Sequence, residues 1–290
     1  MRVLVLNNPH ASGSGRLPKA VLIRALERAG HDVRYRSIRK PGWKRKLNRT
    51  KRVVVVVGGD GTVAQIAAAL AKRDGSAPPL VVIPAGKSNN IARALGLPTT
   101  LDDIVRGLDS DRQTRLALGV ARGPWGKAPF VESAGIGPFA SLLNAVIPRQ
   151  HAAIAYLRRA FLAASPRAMD VRADGEDLSG EYLAAHVLNI GAIGPRLELA
   201  RDADPTDEWL DLLLITERDR SAVAAYFAAR AAGKQALCPI ATHRARRIHI
   251  RSWPARDDGY VDDAPWPDER RPQTGAVRIK VEARIAVLLP

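Results

Sequence analysis

Val53-Val54-Val55-Val56-Val57-Gly58-Gly59-Asp60-Gly61-Thr62 is a run of five valines that opens directly onto three glycines, one acid and one hydroxyl. The valines suit a parallel strand covered on both faces. The glycines let backbone amides approach a ligand with no side chain in the way. Thr62 and Gln65 have capping-box spacing, and an alanine-rich helix over 64–71 follows. A helix N-terminus opening from such a turn suits phosphate. A tight turn without a ligand accounts for the glycines but not for Asp60 between them. The stretch therefore reads as a nucleotide-phosphate loop.

Around it, strands and helices alternate. Residues 2–7 read as a strand, 11–16 as a small-residue loop, 18–29 as a helix stopped by Gly30, and 31–38 as a strand. Beyond the loop at 74–79, residues 80–83 form another buried strand. Pro84-Ala85-Gly86 then turns into a helix over 88–95, followed by a short helix over 101–108. This order predicts an α/β N-terminal domain, residues 1–112, with a parallel sheet and helices on both faces. Ligands of such sheets bind beyond the carboxyl ends of the strands, which puts Asn8, the Gly58 turn and the Gly86 turn on one rim.

From residue 113 to 290 the apolar segments (116–121, 184–190, 210–216, 247–250 and 277–281) are short and separated by Gly, Pro and Asp. They predict a mostly antiparallel, β-rich second domain, interrupted by helices over 152–164 and 221–232. Residues 265–272 read as a surface loop.

At 290 residues the chain can bury a full core, and two domains are expected. No long uncharged apolar stretch and no secretory leader is read, so a cytoplasmic protein is expected, with peripheral attachment at the inner membrane face as an option. The single cysteine, Cys238, gives neither a disulfide framework nor a metal cluster and reads as a core residue. The formal charge of +16 favours anionic partners. Much of it lies in 34–52, where ten Lys and Arg residues surround Trp43 without an acid. That segment reads equally as an anionic-membrane contact, with the indole at headgroup level, or as a solvated loop and strand edge. Without a zinc finger, an aromatic RNA-binding signature or a helix-turn-helix, no nucleic-acid partner is expected. Oligomeric state is not legible.

The motifs resemble the diacylglycerol kinase catalytic-domain family, which includes sphingosine and ceramide kinases and soluble bacterial lipid kinases. Asn8-Pro9-His10-Ala11-Ser12-Gly13 resembles the family's opening Asn-Pro loop, and Gly58 to Thr62 its nucleotide loop. The stretch 84–96 is similar to Pro-x-Gly-Thr-x-Asn-Asp-Phe-Ala-Arg-x-Leu-Gly, and 130–137 to Phe-x-Asn-x-x-Gly-x-Gly. Asp204 to Asp211 resembles Asp-x-x-Asp-Gly-x-Leu-Asp, and Asp262-Asp263-Ala264 falls where the family has Asp-Gly-Glu. The resemblance runs in order over nearly the whole chain. It is more specific than the Gly-Gly-Asp-Gly motif, which NAD kinases and phosphofructokinases share.

The resemblance implies ATP-dependent transfer of the γ-phosphoryl group to a lipid hydroxyl such as that of diacylglycerol, at an anionic membrane surface, in a cleft between two domains. It implies ATP and Mg2+ as cofactors. Carried over by position, Asn8, Gly58, Gly59, Asp60, Gly61 and Thr62 hold the nucleotide together with Gly86, Lys87, Ser88 and Asn89, and Arg16 is a looser phosphate contact. Asp204, Asp207 and the carbonyl of Trp209 keep the spacing of a family magnesium site, although an acid-rich turn explains them as well.

Four positions depart from the pattern on an ungapped reading. Gln65 replaces a Glu, Asn90 an Asp, Lys87 a Thr, and Ala264 the Glu expected as general base. A methyl group cannot accept a proton, and base catalysis contributes about 10²- to 10⁴-fold. Asp60, Asp262 and Asp263 are the remaining catalytic candidates. Lys87 reads as a γ-phosphate ligand, as the mark of a different anion, or as a solvated lysine. Two further functions stay open: a catalytically impaired member that binds nucleotide or anionic lipid as a sensor, and phosphorylation of a soluble substrate as in NAD kinase.

Overall fold

The computed structural model describes residues 1–11, 17–73, 76–143, 150–254, 258–267 and 274–289. The expectation for Arg16, and parts of those for the loops at 11–16, 74–79 and 265–272, lie outside the described residues. The chain forms two compact units, Met1–Leu118 with Ala283–Pro290, and Gly119–Glu282.

The first unit runs β1 (Arg2–Asn7), α1 (Lys19–Arg28), β2 (Asp32–Ser37), α2 (Trp43–Arg49), β3 (Val53–Gly58), α3 (Asp60–Leu70), β4 (Leu80–Pro84), α4 (Asn90–Ala94) and α5 (Leu101–Arg106). Strands β2, β1, β3 and β4 pair in that order, all parallel. Val54 to Val57 are at most 1% exposed, as a strand covered on both faces requires. One face packs Val55 and Val57 with Leu22 and Leu26 of α1 and Ile104 of α5.

Two local expectations change. Residues 43–49 are a helix, and Trp43 is 7% exposed with Leu47 fully buried. Trp43 is therefore a packing residue under α2, which lies against α3, and does not reach a headgroup layer. Arg34, Arg36, Arg39, Lys40, Lys44, Arg45 and Lys46 remain exposed around it. Helix α3 also begins two residues before Thr62. Gly59 is extended (φ −90°, ψ −175°), and its carbonyl accepts the N–H groups of Thr62 and Val63. Thr62 is thus inside the helix, Gln65 is exposed, and the capping box does not form.

The second unit holds the antiparallel part. Strand β5 (Gln113–Gly123) enters it and pairs with β6 (Gly126–Phe130). Then follow β7 (Ser133–Ile136), α6 (Phe139–Leu143), α7 (Gln150–Ala163), β8 (Arg167–Met169), β9 (Val171–Ala173), β10 (Glu176–Asp177), β11 (Gly180–Tyr182) and β12 (Ala184–Leu188). The chain continues through β13 (Ala192–Ile193), β14 (Leu197–Glu198), β15 (Leu210–Ile215), α8 (Arg220–Ala231), β16 (His243–Ala245), β17 (Ile248–Trp253), β18 (Gly259–Val261), β19 (Ala264–Pro265) and β20 (Gly275–Leu288).

One sheet, in the order β16-β15-β12-β7-β18-β19, is buried on both faces. Leu188, Leu213 and Ile215 meet Leu157, Phe161 and Phe227 of α7 and α8. Ala185, Leu212 and Leu214 join Ile248, Ile250, Val277 and Ile279 in a sandwich core. Strands β9, β17, β20 and β5 make the second layer, and β17 and β20 alternate buried and solvent-facing residues.

The boundary expected at 112/113 differs from the observed division in two ways. Strand β5 carries the first unit on to Leu118, and the far end of β20 returns to it, with Val287 pairing Leu80. The 14-residue β20 is long enough to serve both units, which the expected strand over 277–281 did not anticipate. Pro265 lies in β19, and Trp266 packs edge-on to Trp125 and Trp253 at 5.4 and 5.6 Å, so the expected loop starts later than 265. Cys238 is half-buried at the edge of the helical core.

Candidate functional site

Parallel pairing sets the first constellation. Val57 lies opposite Ile83 and Gly58 opposite Pro84, so the Gly58-Gly59 and Gly86 loops leave neighbouring strand ends together. They meet backbone to backbone. A Cβ added to Gly86 would lie 2.5 Å from the Gly59 Cα, and one added to Gly59 would lie 3.0 Å from the Gly86 Cα. Only glycine at both positions permits this approach. Asn8, at the end of β1, donates from Nδ2 to Thr62 Oγ1 at 2.9 Å, which ties the third strand end to the first turn of α3. Thr62 packs on Gly58, where a Cβ would fall 2.6 Å from the threonine side chain.

Asp60 joins the two loops. Its Oδ1 accepts the Ile91 N–H at 2.9 Å, and the amides of Asn90 and Asn89 also stabilise its charge. Burial nevertheless pushes this carboxyl above the usual range. The acid therefore caps α4. Asn89, left-handed at φ 51°, accepts the Gly86 N–H on Oδ1 (2.8 Å) and donates from Nδ2 to the Gly86 carbonyl (3.0 Å). These bonds explain why α4 starts at Asn90 and not at Ser88. They also divide the work: Asp60 and Asn89 hold the loops, and the side-chain-free turn through Gly59 and Gly61 at the start of α3 is the part that could take a phosphate. In the other loop Lys87, which follows Gly86, is exposed, and Ser88 is half-buried.

The second constellation lies within the other unit. Asp262 and Asp263 are the two loop residues of the β18–β19 hairpin, where Val261 pairs with Ala264. Asp262 adopts φ 50° and turns its carboxylate back onto the N–H groups of Val131 (3.0 Å), Glu132 (2.8 Å) and Ser133 (3.2 Å). The residue as a whole is half-buried but its carboxyl is enclosed, and burial pushes the pKa up to about 7 against the pull of those amides. Asp262 thus anchors the β6–β7 connection, whereas Asp263 and Ala264 are exposed. Glu132 is a buried acid, 8% exposed, at this same junction. Sequence reasoning passed over it, and the signal was its place in 130–137, where the family pattern has Asn.

Asp204, Asp207 and Trp209 share one turn. Asp204 Oδ1 accepts the Thr206 N–H (2.8 Å) and hydroxyl (2.7 Å), and Asp207 Oδ1 accepts the Trp209 N–H (2.8 Å). The other Asp207 oxygen pairs with Arg244, and the guanidiniums of Arg244 and Arg246 stand over the Trp209 ring at 5.5 and 4.7 Å. A magnesium ion at Asp204 and Asp207 would compete with the Arg244 guanidinium for the second Asp207 oxygen. Among the described residues no group of three or more His, Cys, Asp or Glu residues converges for a metal.

An α/β unit with glycine loops at its strand ends, followed by an antiparallel β-rich unit, is the architecture of diacylglycerol kinase-like proteins. A diacylglycerol kinase of Bacillus anthracis str. Sterne shares this fold, with TM-score 0.72 and 20% identity over 100% of this chain and 97% of that one. Residues 2–121 match the model of the diacylglycerol kinase catalytic domain. It is 30% identical to the diacylglycerol kinase of Bacillus subtilis (strain 168) over 173 residues, covering 56% of this chain and 54% of that protein. It is 28% identical to the diacylglycerol kinase of Mycobacterium tuberculosis (strain ATCC 25618 / H37Rv) over 206 residues, 68% and 66% of the two chains. The match thus spans about half the length of the Bacillus subtilis relative.

Proposed function

We propose that the protein is an ATP-dependent lipid kinase, transferring the γ-phosphoryl group of ATP, carried as its Mg2+ complex, to the hydroxyl of a diacylglycerol-like lipid at an anionic membrane surface. One observation carries the reading: the backbone contact of Gly59 with Gly86, which supports a phosphate seat free of side chains. In this reading Gly58, Gly59 and Gly61 supply the seat, and Thr62, held by Asn8, fixes the first helical turn. Lys87 and Ser88 supply a cation and a hydroxyl for the outer phosphates. The lipid oxygen attacks the γ-phosphorus, the bond to the β-phosphate oxygen breaks, ADP leaves, and the hydroxyl proton passes to a carboxylate. Asp263, exposed and free of the amide contacts that occupy Asp262, is the acceptor. The exposed cations of β2 and α2 favour an anionic bilayer, each contributing about 1 kcal/mol near the surface. Incorporation of labelled γ-phosphate into mixed vesicles containing diacylglycerol, absent in Asp263→Ala, tests the reading. No transfer to any diacyl, sphingoid or prenyl acceptor would overturn it.

Ala264, together with the engagement of Asp262 by three amides, favours a second reading in which the protein binds nucleotide or anionic lipid as a sensor without turnover. Ala264→Glu separates the two. A rise of about 10²-fold or more in transfer from a baseline near zero supports the sensor, and rapid turnover by the unaltered protein excludes it.

A further inference from the structure

The solvent-facing side of the β9–β17–β20–β5 layer carries a groove of about 710 Å³ whose charge the nucleotide loops do not explain. Its walls are Arg122, Arg172, Arg247, His249, Arg278 and Lys280 over a floor that includes Ile248 and Ile279. Strand register decides the arrangement. His249 pairs directly with Arg172 on one side and with Arg278 on the other, so two arginines flank one histidine in a single row across three strands. Burial and the neighbouring Arg278, Arg251 and Arg172 hold His249 below its usual pKa, while Asp170 pulls the other way.

The local acids do not neutralise the row. Glu282 takes Arg122 in a two-pronged bond (2.9 and 2.7 Å), with Lys280 3.9 Å away. Asp174 spends its carboxylate on the N–H groups of Arg246 and Arg247. Asp177 reaches Arg172 only at 3.9 Å, and Asp170 is engaged with Arg251 at 3.4 Å. Among the described residues the guanidiniums of Arg247 and Arg278 have no acidic partner.

We propose that this groove is a binding site for a phosphate ester, the phosphate lying over the Arg172–His249–Arg278 row. A dianion there meets a guanidinium on either side of the imidazole, and arginine forks match phosphate oxygens in pairs. The volume suits a small ligand or one headgroup and not a long polymer. The phosphate can belong to a soluble ester or to an anionic phospholipid.

The test is binding to the full chain at 150 mM salt, using inorganic pyrophosphate as the soluble probe and phosphatidylcholine vesicles with about one-fifth phosphatidic acid as the lipid probe. Arg172→Ser/Arg278→Ser is the groove variant, Arg278→Lys the conservative one, and Gly86→Ala reports the nucleotide loops separately. Expected is at least one probe whose affinity falls about tenfold or more in the double variant, partly recovers in Arg278→Lys and persists in Gly86→Ala. Loss with pyrophosphate assigns a soluble ester, and loss with vesicles alone assigns a headgroup. Binding of both probes at unchanged affinity in a double variant that melts like the wild type overturns the proposal. So does a single-stranded 20-mer that alone among the three probes depends on the two arginines.

Discussion

The Asp60 carboxylate accepts the N–H of Ile91 at 2.9 Å, so the acid at the start of α3 also caps α4 and draws the two glycine loops together. Asp60→Ala leaves buried amides without an acceptor, at a cost of about 1–3 kcal/mol in urea unfolding. Asp60→Asn, which keeps one acceptor oxygen, is expected to lose about half as much. Equal losses would show that the carboxylate does not bridge the loops.

Asp262 gives a pH signature. Its folded pKa of about 7 lies above an unfolded value of about 3.9, so the folded state holds this proton more tightly. The contribution is complete below pH ~4 and is lost as pH rises through ~7. Wild type minus Asp262→Asn, compared by denaturant unfolding at several pH values, should fall across that window. The subtraction matters because Asp103, Asp177 and Glu217, whose pKa values hydrogen bonds depress, make the opposite contribution in acid. A flat difference would contradict the buried, proton-holding carboxyl.

Trp43 is a core residue on a basic surface. Trp43→Ala should destabilise the chain by about 3 kcal/mol in urea unfolding, with vesicle binding of the folded variant unchanged. Lost vesicle binding at full stability would return the indole to the headgroup layer.

The Asp207–Arg244 pair makes metal removal informative. EDTA is expected to leave the thermal midpoint unchanged, and Arg244→Ala to create a Mg2+-dependent stabilisation by freeing Asp207. A midpoint that falls on chelation in the unaltered protein would contradict that occupancy by arginine.

Much of the α/β unit was legible because valine runs and glycine stops are local signals: β3 and β4 begin where their apolar runs begin. The misreadings were tertiary. Thr62 looked like a cap until Gly59 took an extended conformation and started the helix earlier. The cationic segment around Trp43 gave no sign that the indole would be buried beneath α2. Asp60 and Asp262 stood out in the chain by their motifs, but the backbone amides that their carboxylates accept belong to residues far away in sequence and could not be read there. The row Arg172–His249–Arg278 could not be read at all, since its members are 77 and 29 residues apart and only strand register aligns them.

ATP affinity of Gly86→Ala, measured calorimetrically beside the wild type, tests the nucleotide seat most directly. The added methyl would lie 2.5 Å from the Gly59 Cα, so the loops must part. The expected result is an affinity at least about tenfold weaker in a variant that still unfolds cooperatively. Unchanged affinity in that variant would contradict the seat.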